Sequence, residues 1–445
     1  MSYEFESKLE NFTKFFDEDF LPFLLVGHYD ADGLISLSII AKLLYIKKIP
    51  FIFRISEVLN ANEIKESAFY KIIIVDFQIT EEISKIGEEK RILVIDHHPI
   101  RGDAERLMVI HPVVLGINDD VSSCSSTLSY LLARCIDDSF IELSPLAIAG
   151  ALEDRLDRED KRGFRGINKI VLEEAEEVGL INKEEGLICY GDFSETLPDV
   201  LAHSFEPFFP NLFSSRESAL EYLKGCDIAN DLLDKPLNEI QKEQQAEIGK
   251  KLAKRMLKEG FRASIIEKIY GYNYSTSMHS KYRNLRFIAK SIDFIARSMN
   301  YGEFIDVLFK DRLHHFSFEK YFNEYINVID KILLRSMREK RKKEYKKLYF
   351  LSFEGKIDRY VGSFANLLSS SNINKPVIVI ASEFGKDMYK LSLRSNNSID
   401  ADLGSLASII SKKLNGSGGG HKHASGAIVP KENLNAFLEE LDASL

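Results

Sequence analysis

The stretch KIIIVDFQITEEISKIGEEKRILVIDHH (residues 71–98) decides the reading of this chain. Its two apolar runs, KIIIVDF (71–77) and RILVID (91–96), are short, rich in Ile and Val and bounded by polar residues, a pattern that predicts buried strands. Between them QITEEISKIGEEK has helical spacing. Each run carries an aspartate at its end, Asp76 and Asp96, and the second continues into His97 and His98. Outward from this centre, LPFLLVGH (21–28) and PFIFRI (50–55) are runs of the same kind, separated by the helical ADGLISLSIIAKLLYIKK. Strands that alternate with helices predict an α/β fold with a parallel sheet and crossover helices. Further helices are expected from SSCSSTLSYLLARCI (122–136) and SPLAIAGALEDR (144–155).

A parallel sheet matters because its ligands sit in the crevice at the carboxyl ends of the strands. The chemistry-bearing residues fall there: His28, Asp30 and Asp32 in GHYDADG, Asp76, then Asp96, His97 and His98, with Asp154 following on the helix GALEDR. They are expected to converge, whereas the second strand, ending at Arg54 and Ile55, contributes no such group. A lone Asp after a strand is more often a helix cap or a turn residue. The HxDxD triplet says more, since alternate residues of an extended segment point the same way and bring His28, Asp30 and Asp32 to one cavity. Carboxylate oxygens with imidazole nitrogens, and no Cys among them, suit Mn²⁺ first and Mg²⁺ as the other candidate. Six or seven such groups exceed what one ion with open positions takes, so two divalent cations ~4 Å apart are expected.

This ordered series resembles the motifs of the DHH phosphoesterase superfamily, which includes RecJ nucleases, oligoribonucleases, cyclic-dinucleotide phosphodiesterases and family II pyrophosphatases. The resemblance implies that His28, Asp30 and Asp76 hold one metal, and that Asp32, Asp76, His97 and Asp154 hold the other, with Asp76 as the bridge. His98 would lie against the scissile phosphate, and Asp96 would orient the imidazoles from behind. A water activated by both cations would attack phosphorus in line. LSLRS (391–395) and GGGHKHASGA (418–427) resemble the substrate-binding domain that accompanies many such enzymes. There Arg394 and His421 would meet the nucleic-acid phosphates or terminal nucleotide, and Gly418, Gly419 and Gly420 would let backbone N–H groups approach an anion. LPDVLAHSFEPFFPNL (197–212) and NLRFIAKSIDFIARSMNYGEFIDVLFKD (284–311) resemble segments of archaeal RecJ-like proteins of the GINS-associated nuclease type. Against the family pattern, Glu153 stands before Asp154 where relatives often carry a small residue, and Phe77-Gln78 follows Asp76 where relatives vary.

At 445 residues, 45% of them hydrophobic and 29% charged, the chain is long for one domain. The expected division is a catalytic domain over 1–165, a mainly helical insertion and linker over 166–345, and a smaller α/β substrate-binding domain over 346–445. The last domain starts from the strands LYFLSF (348–353), PVIVIAS (376–382) and MYKLSLRS (388–395), followed by the helix SLASIISKKL and the glycine run. The charge run SMREKRKKEYKK (336–347) reads first as a solvated helix face and second as a nucleic-acid contact. A net charge of −9 argues against a broadly basic duplex-binding surface, so any nucleic-acid contact must be local. Cys124, Cys135, Cys189 and Cys226 are too far apart in sequence for CxxC chemistry, and no signal segment or membrane span is apparent, so a cytoplasmic protein is expected. His111, His203, His279, His314, His315 and His423 lie outside the motifs and read as structural or surface residues.

Three functions follow as expectations. The first is a single-strand exonuclease of DNA replication or repair, acting on DNA or RNA laid between the two α/β domains; the family likeness alone implies a GINS-type replication complex as a partner. The second is a replisome scaffold related to the eukaryotic helicase cofactor. The third is an oligoribonuclease or cyclic-dinucleotide phosphodiesterase, which the long helical region 166–340 disfavours because a small substrate needs little beyond the two α/β domains.

Overall fold

The structure, a computed structural model, describes residues 3–16, 21–117, 119, 121–338, 342–355, 357–396 and 398–445. It divides into two compact units, one of residues 1–186 with 271–325 and the other of 187–270 with 326–445.

The first unit is built on a five-stranded sheet of order β2-β1-β3-β4-β5, with β1 Phe23–His28, β2 Phe51–Ser56, β3 Lys71–Val75, β4 Arg91–Ile95 and β5 Met108–Ile110. All four ladders are parallel, as the alternation of strands and helices predicts. Ile72, Ile73, Ile74 and Val75 are buried on both faces of the sheet, which is why β3 reads as an unbroken apolar run rather than an alternating one. The strand order reverses direction between β1 and β3, and such a switch point opens a crevice beyond the carboxyl ends of those two strands. Helix α1 (Ala31–Ile46) leaves β1 after only two residues, capped by Asp30, whose Oδ1 accepts from the Gly33 N–H at 3.0 Å. Helices α2 (Ser125–Ile136) and α3 (Ser144–Glu153) start at or near the expected positions and pack on α1.

The region expected to be mainly helical also contains two strands, β6 (Ile181–Leu187) and β7 (Tyr270–Thr276), paired with each other. INKEEGL and YGYNYST carry no apolar run, because charged or tyrosine side chains occupy their half-exposed face. Helix α4 (Leu285–Arg297) packs against α3 and α1.

The second unit carries a six-stranded mixed sheet of order β12-β13-β11-β10-β9-β8, from β8 (Lys342–Glu344), β9 (Leu348–Phe353), β10 (Val377–Phe384), β11 (Met388–Ser395), β12 (Ser417–Gly420) and β13 (Ala424–Pro430). Only β9 and β10 run parallel. Between them lies helix α5 (Val361–Ser369), and α6 (Leu403–Lys413) precedes β12. The charge run over 336–347 is not one helix: its start closes the helix Phe318–Arg338, Lys342–Glu344 is a strand, and residues 339–341 lie outside the described set. The glycine run is strand β12, paired with β13. Its glycines serve close helix packing, since a Cβ on Gly418 would stand 2.7 Å from the Ala407 carbonyl of α6.

Candidate metal centre

Strands β1, β3 and β4, the start of α1 and the end of α3 deliver their groups to the switch point. His28 is the last residue of β1, and its Nδ1 stands 2.8 Å from Asp30 Oδ2 and 3.4 Å from Asp76 Oδ2. Asp30 therefore caps α1 with one oxygen and faces His28 with the other. Asp76 follows β3 in the left-handed region at φ +62°, a conformation Asp tolerates better than most side chains. Beyond β4, His97 Nε2 lies 3.2 Å from Asp154 Oδ2 and 3.8 Å from Asp76 Oδ1, while His98 Nδ1 lies 2.7 Å from Asp96 Oδ1. Asp154 closes the C-terminal end of α3. Asp76 thus stands beside both His28 and His97, the position a shared carboxylate requires.

Among the described residues of the first unit, the ligand-capable atoms form three groups within 4.8 Å: His28, Asp30 and Asp76; Asp32, His97 and Asp154; and Asp76, Asp96 and His98. The carboxylate of Asp32 accepts from the backbone N–H groups of Ser125 at 2.8 Å and Ser126 at 2.9 Å, so the anion at the start of α2 is the protein's own. Ser125 Oγ also donates to Asp76 Oδ1 at 3.0 Å. A Cβ on Gly150 would come within 2.8 Å of Asp32 Oδ1 and 2.2 Å of Ser126 Oγ, so only glycine lets α3 approach this corner. The SSCSST segment was legible as a helix start; that it buttresses two of the carboxylates was not, because a serine run carries no signal of its partner.

The electrostatics are unbalanced. Burial, then Asp154 and Asp76, push the Asp32 carboxyl up to about 8. Burial and Asp30 also raise Asp76. Burial opposes the charged form of His97, yet Asp154, Asp32 and Asp76 outweigh it and lift the imidazole to about 10. His28 is likewise held well above the ordinary imidazole value, burial being overcome by Asp30 and Asp76, and Asp30 is correspondingly lowered. Asp96 is buried but held at about 2 by His98 and His97, and His98 is raised in return. Protons are standing in for missing positive charge. A donor set of carboxylate oxygens and imidazole nitrogens, crowded and short of cations, fits divalent metal ions.

Behind the motif, His111 accepts from the Val113 N–H through Nδ1 at 3.2 Å and so donates from Nε2 to the His98 carbonyl at 2.9 Å, a structural role that fixes the turn after β4. In the second unit, Arg394 lies on β11 and donates to Asn366 Oδ1, to Ser392 Oγ at 2.9 Å and to the Ser425 carbonyl at 3.3 Å. Gly418, Gly419 and Gly420 line up in β12, with Gly420 at φ +130°, and His421 follows, its N–H donating to the Ala424 carbonyl at 2.9 Å.

Known proteins resemble this chain in sequence profile and in fold. The profile of the DHH family N-terminal domain matches residues 22–152, and that of the DHHA1 domain matches 330–445. The chain belongs to the DHH superfamily. Among curated proteins, this DHH protein is 27% identical over 433 residues to an uncharacterized protein of Methanocaldococcus jannaschii, covering 94% of this chain and 92% of that one. Among solved structures, CDC45 from Entamoeba histolytica matches at a TM-score of 0.64 with 12% identity, covering 99% of each chain. RecJ from Thermus thermophilus in complex with Mn²⁺ matches at 0.55 with 15% identity, covering 99% of this chain and 54% of that one. The same RecJ in complex with Mg²⁺ matches at 0.53 with 14% identity, covering 99% and 52%. At these identities the likeness is one of fold, and it spans both units of this DHH protein. No helix among the described residues is long and apolar enough to cross a membrane.

Proposed function

We propose that this protein is a metal-dependent exonuclease that hydrolyses phosphodiester bonds in single-stranded DNA, working in DNA replication or repair. The observation that carries the reading is the convergence of His28, Asp30, Asp32, Asp76, His97 and Asp154 on one corner, with Asp76 within reach of both sets of donors. His28, Asp30 and Asp76 would hold one cation and Asp32, Asp76, His97 and Asp154 the other, with Mn²⁺ ahead of Mg²⁺. When bound, two such ions supply Lewis-acid charge at the phosphate and lower the pKa of water near it. The remaining work belongs to the chain. Asp96, 2.7 Å from His98 Nδ1, favours the protonated imidazole, in which the ring nitrogen facing away from Asp96 is a donor for a phosphate oxygen. Ser125 and the start of α2 fix Asp76 and Asp32 so that neither must reorganise during reaction. Arg394, His421 and the glycines of β12 supply the contact to the nucleic-acid backbone or terminal nucleotide.

A second reading, a scaffold of the replisome without catalysis, is favoured by the match to CDC45 over the whole length of both chains. The complete donor set weighs against it, because such a crowd of carboxylates is destabilising unless cations are bound. The test is degradation of end-labelled single-stranded DNA, single-stranded RNA and a dinucleotide with Mn²⁺ or Mg²⁺, for the wild type and Asp76→Ala. The expected result is metal-dependent loss of nucleotides from one DNA end, absent in the variant. Cleavage of the dinucleotide alone would replace the nuclease by a small-substrate phosphodiesterase, and no cleavage of any substrate would leave the scaffold.

A further inference from the structure

Helix α4 has a polar face that is almost wholly buried. Arg286, Lys290, Asp293 and Arg297 recur at intervals of four, three and four residues and so share one side of the helix. A run of charges with this spacing is ordinarily a solvated face, yet Arg286 and Asp293 are buried, and the side chains of Lys290 and Arg297 are only 13% and 12% exposed. Three of them meet the residues that flank the candidate metal ligands. Lys290 Nζ sits 2.8 Å from the carboxylate of Glu153, the residue immediately before Asp154. Arg286 pairs at 2.7 Å with Asp157, three residues beyond Asp154, and Arg162 pairs with the same carboxylate at 2.7 Å. The Arg297 guanidinium lies over the Tyr29 ring, 5.2 Å from its centroid, between His28 and Asp30 in sequence. Asp293 in turn accepts from Arg297 at 2.8 Å and from the Tyr325 hydroxyl at 2.9 Å, which fixes the arginine from behind.

We infer that α4 is a positioning helix for the metal centre, and that the Glu153–Lys290 pair sets the end of α3 so that Asp154 meets Asp32 and His97. This rests on the two-cation reading above. Glu153 thereby acquires a use: its carboxylate ties the last turn of α3 to a neighbouring helix one residue before the ligand. Lys290 and Glu153 are positioning residues, acting through Asp154. Such partners behind a metal ligand are each worth about ten- to hundredfold in metal affinity.

The test is Mn²⁺ titration of the full chain by calorimetry, with the electron paramagnetic resonance spectrum recorded at each loading. Two Mn²⁺ ions that share a carboxylate couple magnetically, whereas one ion gives an isolated six-line signal. Wild type is expected to bind two ions and to give the coupled spectrum. Lys290→Met is expected to weaken one site by about ten- to hundredfold, so that at intermediate loading the isolated signal dominates, and Lys290→Arg is expected to restore the coupled one. A buried Glu153 left without its cation can unfold that variant. The Glu153→Gln/Lys290→Met pair removes both charges and is expected to fold while showing the same weakened site. If the folded double variant binds two ions as tightly as wild type, the positioning role is wrong. If wild type itself binds no Mn²⁺, it is the two-cation reading that fails.

Discussion

Two buried clusters of charge lie within a few residues of each other, and the protein treats them differently. Around the switch point, Asp30, Asp32, Asp76, Asp96 and Asp154 crowd against His28, His97 and His98, and the excess of negative charge appears as the Asp32 and Asp76 carboxyls and the imidazoles pushed upward. Along α4, Glu153, Asp157 and Asp293 are met by Arg162, Arg286, Lys290 and Arg297 at hydrogen-bonding distance. In the second cluster side chains supply a cation for every carboxylate, although burial and Asp293 outweigh Lys290 and still push the Glu153 carboxyl up to about 8; the first cluster has only imidazoles to meet its carboxylates. Buried charge that a fold neutralises itself is structural, and buried charge that it leaves in deficit marks the place where a cation is expected.

The two clusters should respond oppositely to the loss of a charge. Asp76→Asn, which keeps a residue tolerant of φ +62°, is expected to lower metal-dependent hydrolysis by about a thousandfold or more, several kcal/mol of barrier, in single-turnover assays. Its melting temperature without metal should equal or exceed that of wild type, because one repelling carboxylate has gone. A clear fall in metal-free melting temperature would show that Asp76 is held for packing instead. Arg286→Met, in the second cluster, strands Asp157 with a single partner, and chemical denaturation should reveal a loss of about 3–5 kcal/mol, with melting lower by about 10 °C. Unchanged stability would remove the distinction between the clusters.

The smallest effect is in pH. The folded, metal-free protein holds a proton on His97 up to about 10, against 6.5 for the ordinary imidazole, and on Asp32 up to about 8, against 3.8. In both cases the folded state binds more protons than the unfolded one, so stability is lost as pH rises through these windows. Scanning calorimetry without metal should therefore show melting falling by a few degrees from pH 6.5 to 10. With Mn²⁺ present the trend reverses in part, since the protons must leave before the ions bind, and the Mn²⁺-induced rise in melting should grow with pH. A Mn²⁺ shift that does not vary with pH would mean the ion binds elsewhere.

Much of this was readable beforehand, for reasons that differ by element. Strands β1, β3 and β4 are buried on both faces and so appear as apolar runs, and the parallel order follows from their alternation with helices. The six candidate metal ligands are legible as candidates because they stand at strand ends and helix ends, where position in sequence nearly dictates position in space. Strand β5 has three residues, β6 and β7 expose one polar face, and β12 is mostly glycine, so none produces an apolar pattern. The face of α4 was hidden for a different reason. Charges at helical spacing look the same in a sequence whether water or Glu153 and Asp157 await them. The glycines of β12 gave a signal that was read as anion approach, while the structure adds a packing demand from α6.

The most direct measurement is the crystal structure of the wild type soaked with Mn²⁺, with anomalous scattering recorded at the manganese absorption edge. The account predicts two peaks ~4 Å apart, one against His28 and Asp30, the other against Asp32, His97 and Asp154, with the carboxylate of Asp76 touching both. A single peak, or manganese bound away from Asp76, would contradict it.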